Sequence, residues 1–209
     1  MHKAIDALGP QGKNIELEMK SFELNPDAPS EYTGPTLERF ARKYRLSLEK
    51  AAERIESISQ LGRDEGLDFR YSTVRNSNTR DAHRLTKLAQ SLGNDKFEEL
   101  CYEAYFTDNL VLGDHDVLRE IASEAGLPEA DVERVLSTNE FEDAVIADEL
   151  QAQQLGVTGV PFFVIDDKYA VAGCFPTANM EQALREALEK HGSAKVVEGA
   201  SCGIDGCKI

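Results

Sequence analysis

Three textures follow one another along the chain. Residues 2–8 (HKAIDAL) predict the end of a helix, stopped by Gly9-Pro10. Between residues 15 and 24 (IELEMKSFEL) the pattern alternates: Ile15, Leu17 and Met19 are set against Glu16, Glu18 and Lys20. That alternation predicts a half-buried strand, ended by the turn chemistry of Asn25-Pro26-Asp27-Ala28-Pro29.

From about residue 36 to 155 the spacing becomes helical. Leu37, Phe40, Ala41 and Tyr44 share one face of a first helix. Ser47 is placed to cap a second, with Leu48, Ala51, Ile55, Ile58 and Leu61 inward and Gly66 past its end. Thr79 is placed to cap a third, with Ala82, Leu85, Leu88, Ala89 and Leu92 inward. Further helices are predicted around 95–106, after Asp114, from Pro128 and after Asn139, the last closed by Gly156. This reads as a compact helical unit on short connections.

The texture then changes again. Val160–Ile165 reads as one short apolar strand with a proline near its start, Asp166-Asp167-Lys168 as a turn, Tyr169–Gly173 as a second strand and Thr177–His191 as a helix. The strand at 15–24 is the natural sheet partner of this α/β end, so both ends of the chain are expected to build one sheet with the helical block inserted between them. The expected organisation is a sheet domain from 1–34 and 156–193, a helical insertion at 35–155, and a tail at 194–209 that is small, polar and expected to be mobile.

Apolar residues make up 41% of the 209 and charged residues 29%, the balance of a soluble globular protein. The net charge is −15. It argues against nucleic acid or an anionic membrane surface as a partner, since both need a cationic face. No stretch approaches the roughly 20 apolar residues of a membrane span, and the N-terminus lacks a secretory apolar core. A cytoplasmic location is the expectation.

Four cysteines, Cys101, Cys174, Cys202 and Cys207, are too few for a disulfide-built scaffold, yet two of them fall in the last eight residues. Cys202-Gly203-Ile204-Asp205-Gly206-Cys207 is a C-x4-C motif whose glycines let the chain fold back, bringing the Cα atoms toward the roughly 5.5 Å of a disulfide. A half zinc site or a passive tail are the alternatives, and His191 is the only histidine near in sequence for zinc. Cys101 lies on an apolar helix face and reads as core. Cys174, in Gly173-Cys174-Phe175-Pro176, reads as a small hydrophobe or as a third thiol for the tail pair. His83 and His115 read as structural, and Phe162 and Phe163 as core, one on each side of the sheet. Pro161 heads an apolar strand although it has no N–H. It is either a trans proline starting an edge strand or a cis bend that exposes the Val160 backbone.

GVTGVPFFVIDDKYAVAG at 156–173 resembles the C-terminal half of DsbA-like thioredoxin-fold oxidoreductases, specifically the FrnE-type subgroup. SFELNPD (21–27), DAHRL (81–85), EAYF (103–106), GDHDVL (113–118) and ADELQAQQLG (147–156) are similar to the same group. The resemblance implies an α/β thioredoxin-like fold with a large all-helical insertion. It also implies thiol–disulfide exchange with protein thiols or disulfides, with no cofactor. In that group Val160 and Pro161 would position a partner's backbone, and Cys202 and Cys207 would be an auxiliary redox pair.

The family pattern opens with a strand and then C-x-x-C at the start of the first helix, which makes a thiolate. This chain has no C-x-x-C and begins where the family is already partway down that helix. The first strand is therefore expected to be absent. Either roughly 20 residues are missing, or the chain is a natural truncation without the usual dithiol. Two other functions stay open: a glutathione-dependent isomerase or transferase on the same fold, with glutathione as co-substrate, and a non-catalytic peptide-binding module. The sequence leaves the oligomeric state open.

Overall fold

The computed structural model describes residues 1–32 and 34–189, and as backbone 196–198, 201–203 and 206–208. Two compact units share the chain: Met1–Lys20 with Ala152–Ile209, and Ser21–Gln151. Residues 21–34, assigned to the sheet domain from sequence, thus fall in the helical unit.

The helical unit carries α2 (Thr36–Tyr44), α3 (Leu48–Asp64), α4 (Arg80–Ser91), α5 (Lys96–Phe106), α6 (His115–Ala125), α7 (Glu129–Ser137) and most of α8 (Glu142–Gln154). Its main core gathers Leu85, Phe97, Leu118 and Val135, and a second cluster joins Phe40, Ala51 and Ile55 across α2 and α3. The Ser47 hydroxyl accepts from the Lys50 amide at 3.3 Å and the Asp114 carboxylate from the Asp116 amide at 2.9 Å, as their positions predict. Thr79 makes no such bond. Asn78 does the work instead, its side-chain oxygen accepting from the Arg80 amide at 2.8 Å. Leu48, Leu61 and Leu92 are exposed rather than core. Each sits at a helix end, where the opposing helix no longer covers it.

Charged groups tie residues 21–23 to α4 and α8. The Ser21 amide donates to Asp148 at 2.8 Å, and Asp148 in turn pairs with Lys87 at 2.5 Å. Glu23, whose side chain is fully buried, lies 2.6 Å from Arg80, which also approaches Glu149 at 3.4 Å and Glu142 at 3.5 Å. These contacts account for a correction. Residues 15–24 form no strand. From Ser21 onward the polar residues are the buried ones, while Met19 and Leu24 are exposed, so the alternation does not mark a sheet face.

In the other unit, α1 (His2–Ala7) leads into a 3-10 helix at Gly9–Asn14 that periodicity did not predict. The strands are β1 (Gly159–Val160), β2 (Phe162–Ile165), β3 (Tyr169–Ala172), β4 (Val196–Glu198), β5 (Ser201–Gly203) and β6 (Gly206–Lys208), with α9 (Thr177–Glu189) after β3. The expected single strand over 160–165 is two strands in two sheets, ordered β2-β3-β4 and β1-β5-β6. Pro161, with no N–H to offer a ladder, stands at the break.

Asp166, Asp167 and Lys168 join β2 to β3; the Lys168 amide donates to the Ile165 carbonyl at 3.1 Å, and Asp166 and Asp167 are both at positive φ (53° and 52°), the handedness that suits the twist of a hairpin. Among the described residues β2 is the edge of its sheet, and Val164 on it is exposed. Ala4 and Leu8 of α1 and Met180 and Leu184 of α9 pack with Val171, Phe163 and Ile165. The two ends of the chain therefore meet through a core, not through the shared sheet expected from sequence. The tail, expected to be mobile, pairs in register on β3 and β1.

Two outcomes test this packing. A Cβ on Gly12 would sit 2.3 Å from the Ile5 carbonyl oxygen, so Gly12→Ala should lower the unfolding free energy by about 1–3 kcal/mol in urea titration. Burial pushes the Glu23 carboxyl up to about 7, against the pull of Arg80 and with the help of Glu149 and Glu142. A carboxyl raised in the fold binds its proton more tightly there than in the unfolded chain. Its contribution is complete below the unfolded value near 4.5 and is lost as pH rises through about 7. Between pH 6 and 8 the wild-type Tm should fall more steeply than that of Glu23→Gln, measured by thermal unfolding.

Candidate functional site

The site is a bend between two strands. Gly156, at φ 70°, closes α8, and the Val157 amide returns to the Ala152 carbonyl at 2.9 Å, so the chain leaves the helix in a fixed direction. Two residues later it enters β1. The Val160–Pro161 peptide bond is cis. On the far side, the Gly173 amide donates to the Pro161 carbonyl at 2.8 Å. Gly173 itself is at φ 99°, a backbone region open to glycine and rarely to other residues. The next residue is Cys174, which is exposed and free.

β5 runs antiparallel to β1, with Gly203 opposite Gly159 and Cys202 opposite Val160. β6 then runs back along β5, with Cys207 opposite Cys202. Val160, Cys202 and Cys207 thus occupy one cross-strand row beside Pro161. The side chains of Cys202 and Cys207 lie outside the described residues.

The remaining thiol is set apart. Cys101 belongs to the core of the helical unit, and burial pushes its thiol up to about 12, so it is not a thiolate at neutral pH. His83 is half-buried on α4, and burial pushes its imidazole down to about 4. His115 bonds Asp81 through Nε2 at 2.8 Å, joining α6 to α4. Burial opposes ionisation of Asp81, but hydrogen bonds from His115 and Arg84 outweigh it and hold the carboxyl below its usual range. His115 thus has a structural partner, and His83 is held in its lowered range by burial. Among the described residues no cluster of three or more His, Cys, Asp or Glu is arranged to hold a metal, and no helix is long and apolar enough to cross a membrane.

Two features escaped the sequence reading. One is Gly173 as the anchor of the bend, which only a glycine before Cys174 could have hinted at. The other is a groove of about 270 Å³ lined by Phe175, Met180, Ala183 and Glu186 among others, next in sequence to Cys174.

The DSBA-like thioredoxin domain matches residues 1–185. The chain belongs to that family, whose activity is thiol–disulfide oxidoreduction. A probable DsbA oxidoreductase from Streptomyces coelicolor, known from a crystal structure, is 35% identical, with a TM-score of 0.86 over 100% of this chain and 90% of that one. A putative protein disulfide isomerase from Nitrosomonas europaea shares the fold at 17% identity and TM-score 0.58, over 75% of this chain and 90% of that one. The uncharacterized protein YwbO of Bacillus subtilis is 24% identical over 190 residues, 86% of each chain. The thioredoxin-like α/β fold with a helical insertion, expected from the resemblance, is the fold of this family.

Exposure separates the thiols experimentally. With the native chain in reductant-free buffer, iodoacetamide should modify Cys174 and leave Cys101 untouched until denaturant is added, as read by peptide mass spectrometry.

Proposed function

We propose that this chain is a thiol–disulfide oxidoreductase of the FrnE type that uses Cys202 and Cys207 as a redox pair beside a peptide-binding edge formed by Val160 and Pro161. The observation that carries the reading is the register that sets Cys202 opposite both Val160 and Cys207.

Two residues separate Gly203 from Gly206, so in a two-residue hairpin that flanking pair exchanges its own hydrogen bonds and the next pair, Cys202 and Cys207, is of the non-bonded type. Cα atoms in such a pair lie about 4.5 Å apart, inside the span a disulfide bridges.

The exchange runs in two steps. A thiolate of one cysteine attacks the partner's disulfide, an S–S bond forms between them, and the partner's first thiolate leaves. The other cysteine then attacks that mixed bond, the Cys202–Cys207 disulfide forms, and the second partner thiol is released. Two electrons pass to the partner, and the two cysteine protons end on its thiols. Every electron comes from sulfur, so the step needs no cofactor; glutathione disulfide or a protein disulfide serves equally as the partner, and in the reverse direction glutathione or a protein dithiol reduces the Cys202–Cys207 bond. Cys174, next to the anchor of the bend, is the third thiol that could join the relay.

Equilibrating the chain in glutathione buffers of graded ratio, quenching with iodoacetamide and mapping the peptides tests this. Cys202 and Cys207 should convert together as a two-electron couple, about 30 mV per tenfold change in ratio, and Cys202→Ser should abolish the transition. An identical free-thiol count before and after strong reductant would sink the reading.

A further inference from the structure

The edge assigned to an incoming peptide is already occupied. β1 is only Gly159–Val160, and its described partner is β5 of the chain's own tail. We infer that the tail hairpin is an internal competitor of partner peptides: Ser201–Gly203 fills the strand-addition edge of Gly159–Val160, and a partner binds only by displacing it. The inference rests on the reading of β1 as a peptide edge and adds what controls access to it and which peptides fit.

Both follow from register. Strand addition draws its affinity from main-chain hydrogen bonds and its selectivity from the residues that fall opposite each edge position. The tail sets a glycine opposite Gly159 and a cysteine opposite Val160. A segment that replaces it in the same register is extended, runs antiparallel to β1, and carries a cysteine followed by a small residue. The substrate class is therefore Cys-small segments of unfolded or locally open proteins. β5 is the middle strand of β1-β5-β6. Its pair with β6 lies on the side away from β1, so hairpin and edge separate as one piece. A flexible stretch of sequence is not required to dissolve first.

Competition lowers apparent affinity by the fraction of time the edge is open. Gly203 bonds across the hairpin to Gly206, so by alternation the Cys202 amide and carbonyl face β1. Proline has no N–H and does not fit a strand bonded on both sides, so Cys202→Pro should detach β5 from β1, whereas Cys202→Ala keeps the donor. The probe is a fluorescein-labelled hexapeptide with a Ser-Cys-Gly core, its cysteine S-methylated so that no exchange occurs. Binding is followed by fluorescence anisotropy on the full-length chain.

If the tail covers the edge nine-tenths of the time, Cys202→Pro should bind the probe about tenfold more tightly than wild type, with Cys202→Ala within about twofold of wild type. In wild type, saturating probe should speed hydrogen exchange at the Cys202 amide while Val160 stays protected. Equal affinity of wild type and Cys202→Pro would overturn self-competition and leave the peptide edge standing. No binding to any of the three would overturn both.

Discussion

One hydrogen bond holds the two sheets in their relation at the bend: the Gly173 amide to the Pro161 carbonyl. Proline gives the strand no donor, so the chain cannot continue a ladder through it. The carbonyl it does possess is claimed by the residue that ends β3. Beyond this tie Phe162–Ile165 pairs residue by residue with β3, while Gly159–Val160 on the other side of the proline pairs with β5. The tie also sets Cys174, the next residue, at the same corner. A β-branched or bulky side chain at 173 would resist its positive φ, so the bend depends on a glycine that carries no chemistry itself.

The core of the sheet unit explains why this corner is rigid enough to matter. Phe163, Ile165 and Val171 face α1 and α9 together. The same packing joins the first eight residues to the last helix without a hydrogen-bond ladder between them. Apolar burial is non-directional, so the helix at His2–Ala7 joins this core without the strand expected at 15–24.

How much of this could be read from sequence varies with the physics. The helices of the inserted unit were legible because amphipathic spacing records which face is covered, and Ser47 and Asp114 cap as their positions predict. The cap at Asn78 in place of Thr79 is a one-residue slip, within the reach of either polar side chain. The stretch from 15 to 24 misled because its buried polar groups answer to Arg80 and Asp148, more than 50 residues away in sequence. The division at Pro161 was hidden because an unbroken apolar run gives no sign of which sheet each residue joins. The motif at 156–173 pointed to the family, and the cysteine spacing at 202–207 to a pair, but the strand pairing of the tail had no periodicity to reveal it. A three-residue strand such as Ser201–Gly203, made of serine, cysteine and glycine, is held by backbone bonds and leaves almost no hydrophobic trace.

The outer strand β2 carries a consequence of its own. A sheet edge with an exposed valine invites the same edge of another copy. Nothing on that edge is charged, yet the chain as a whole carries −15. Mutual repulsion between copies is thus the guard against edge-to-edge stacking, and it is a guard that works at a distance. Added salt shortens that distance to about 3 Å at molar strength, so this molecule should tolerate crowding best in dilute electrolyte and lose colloidal stability as ions accumulate.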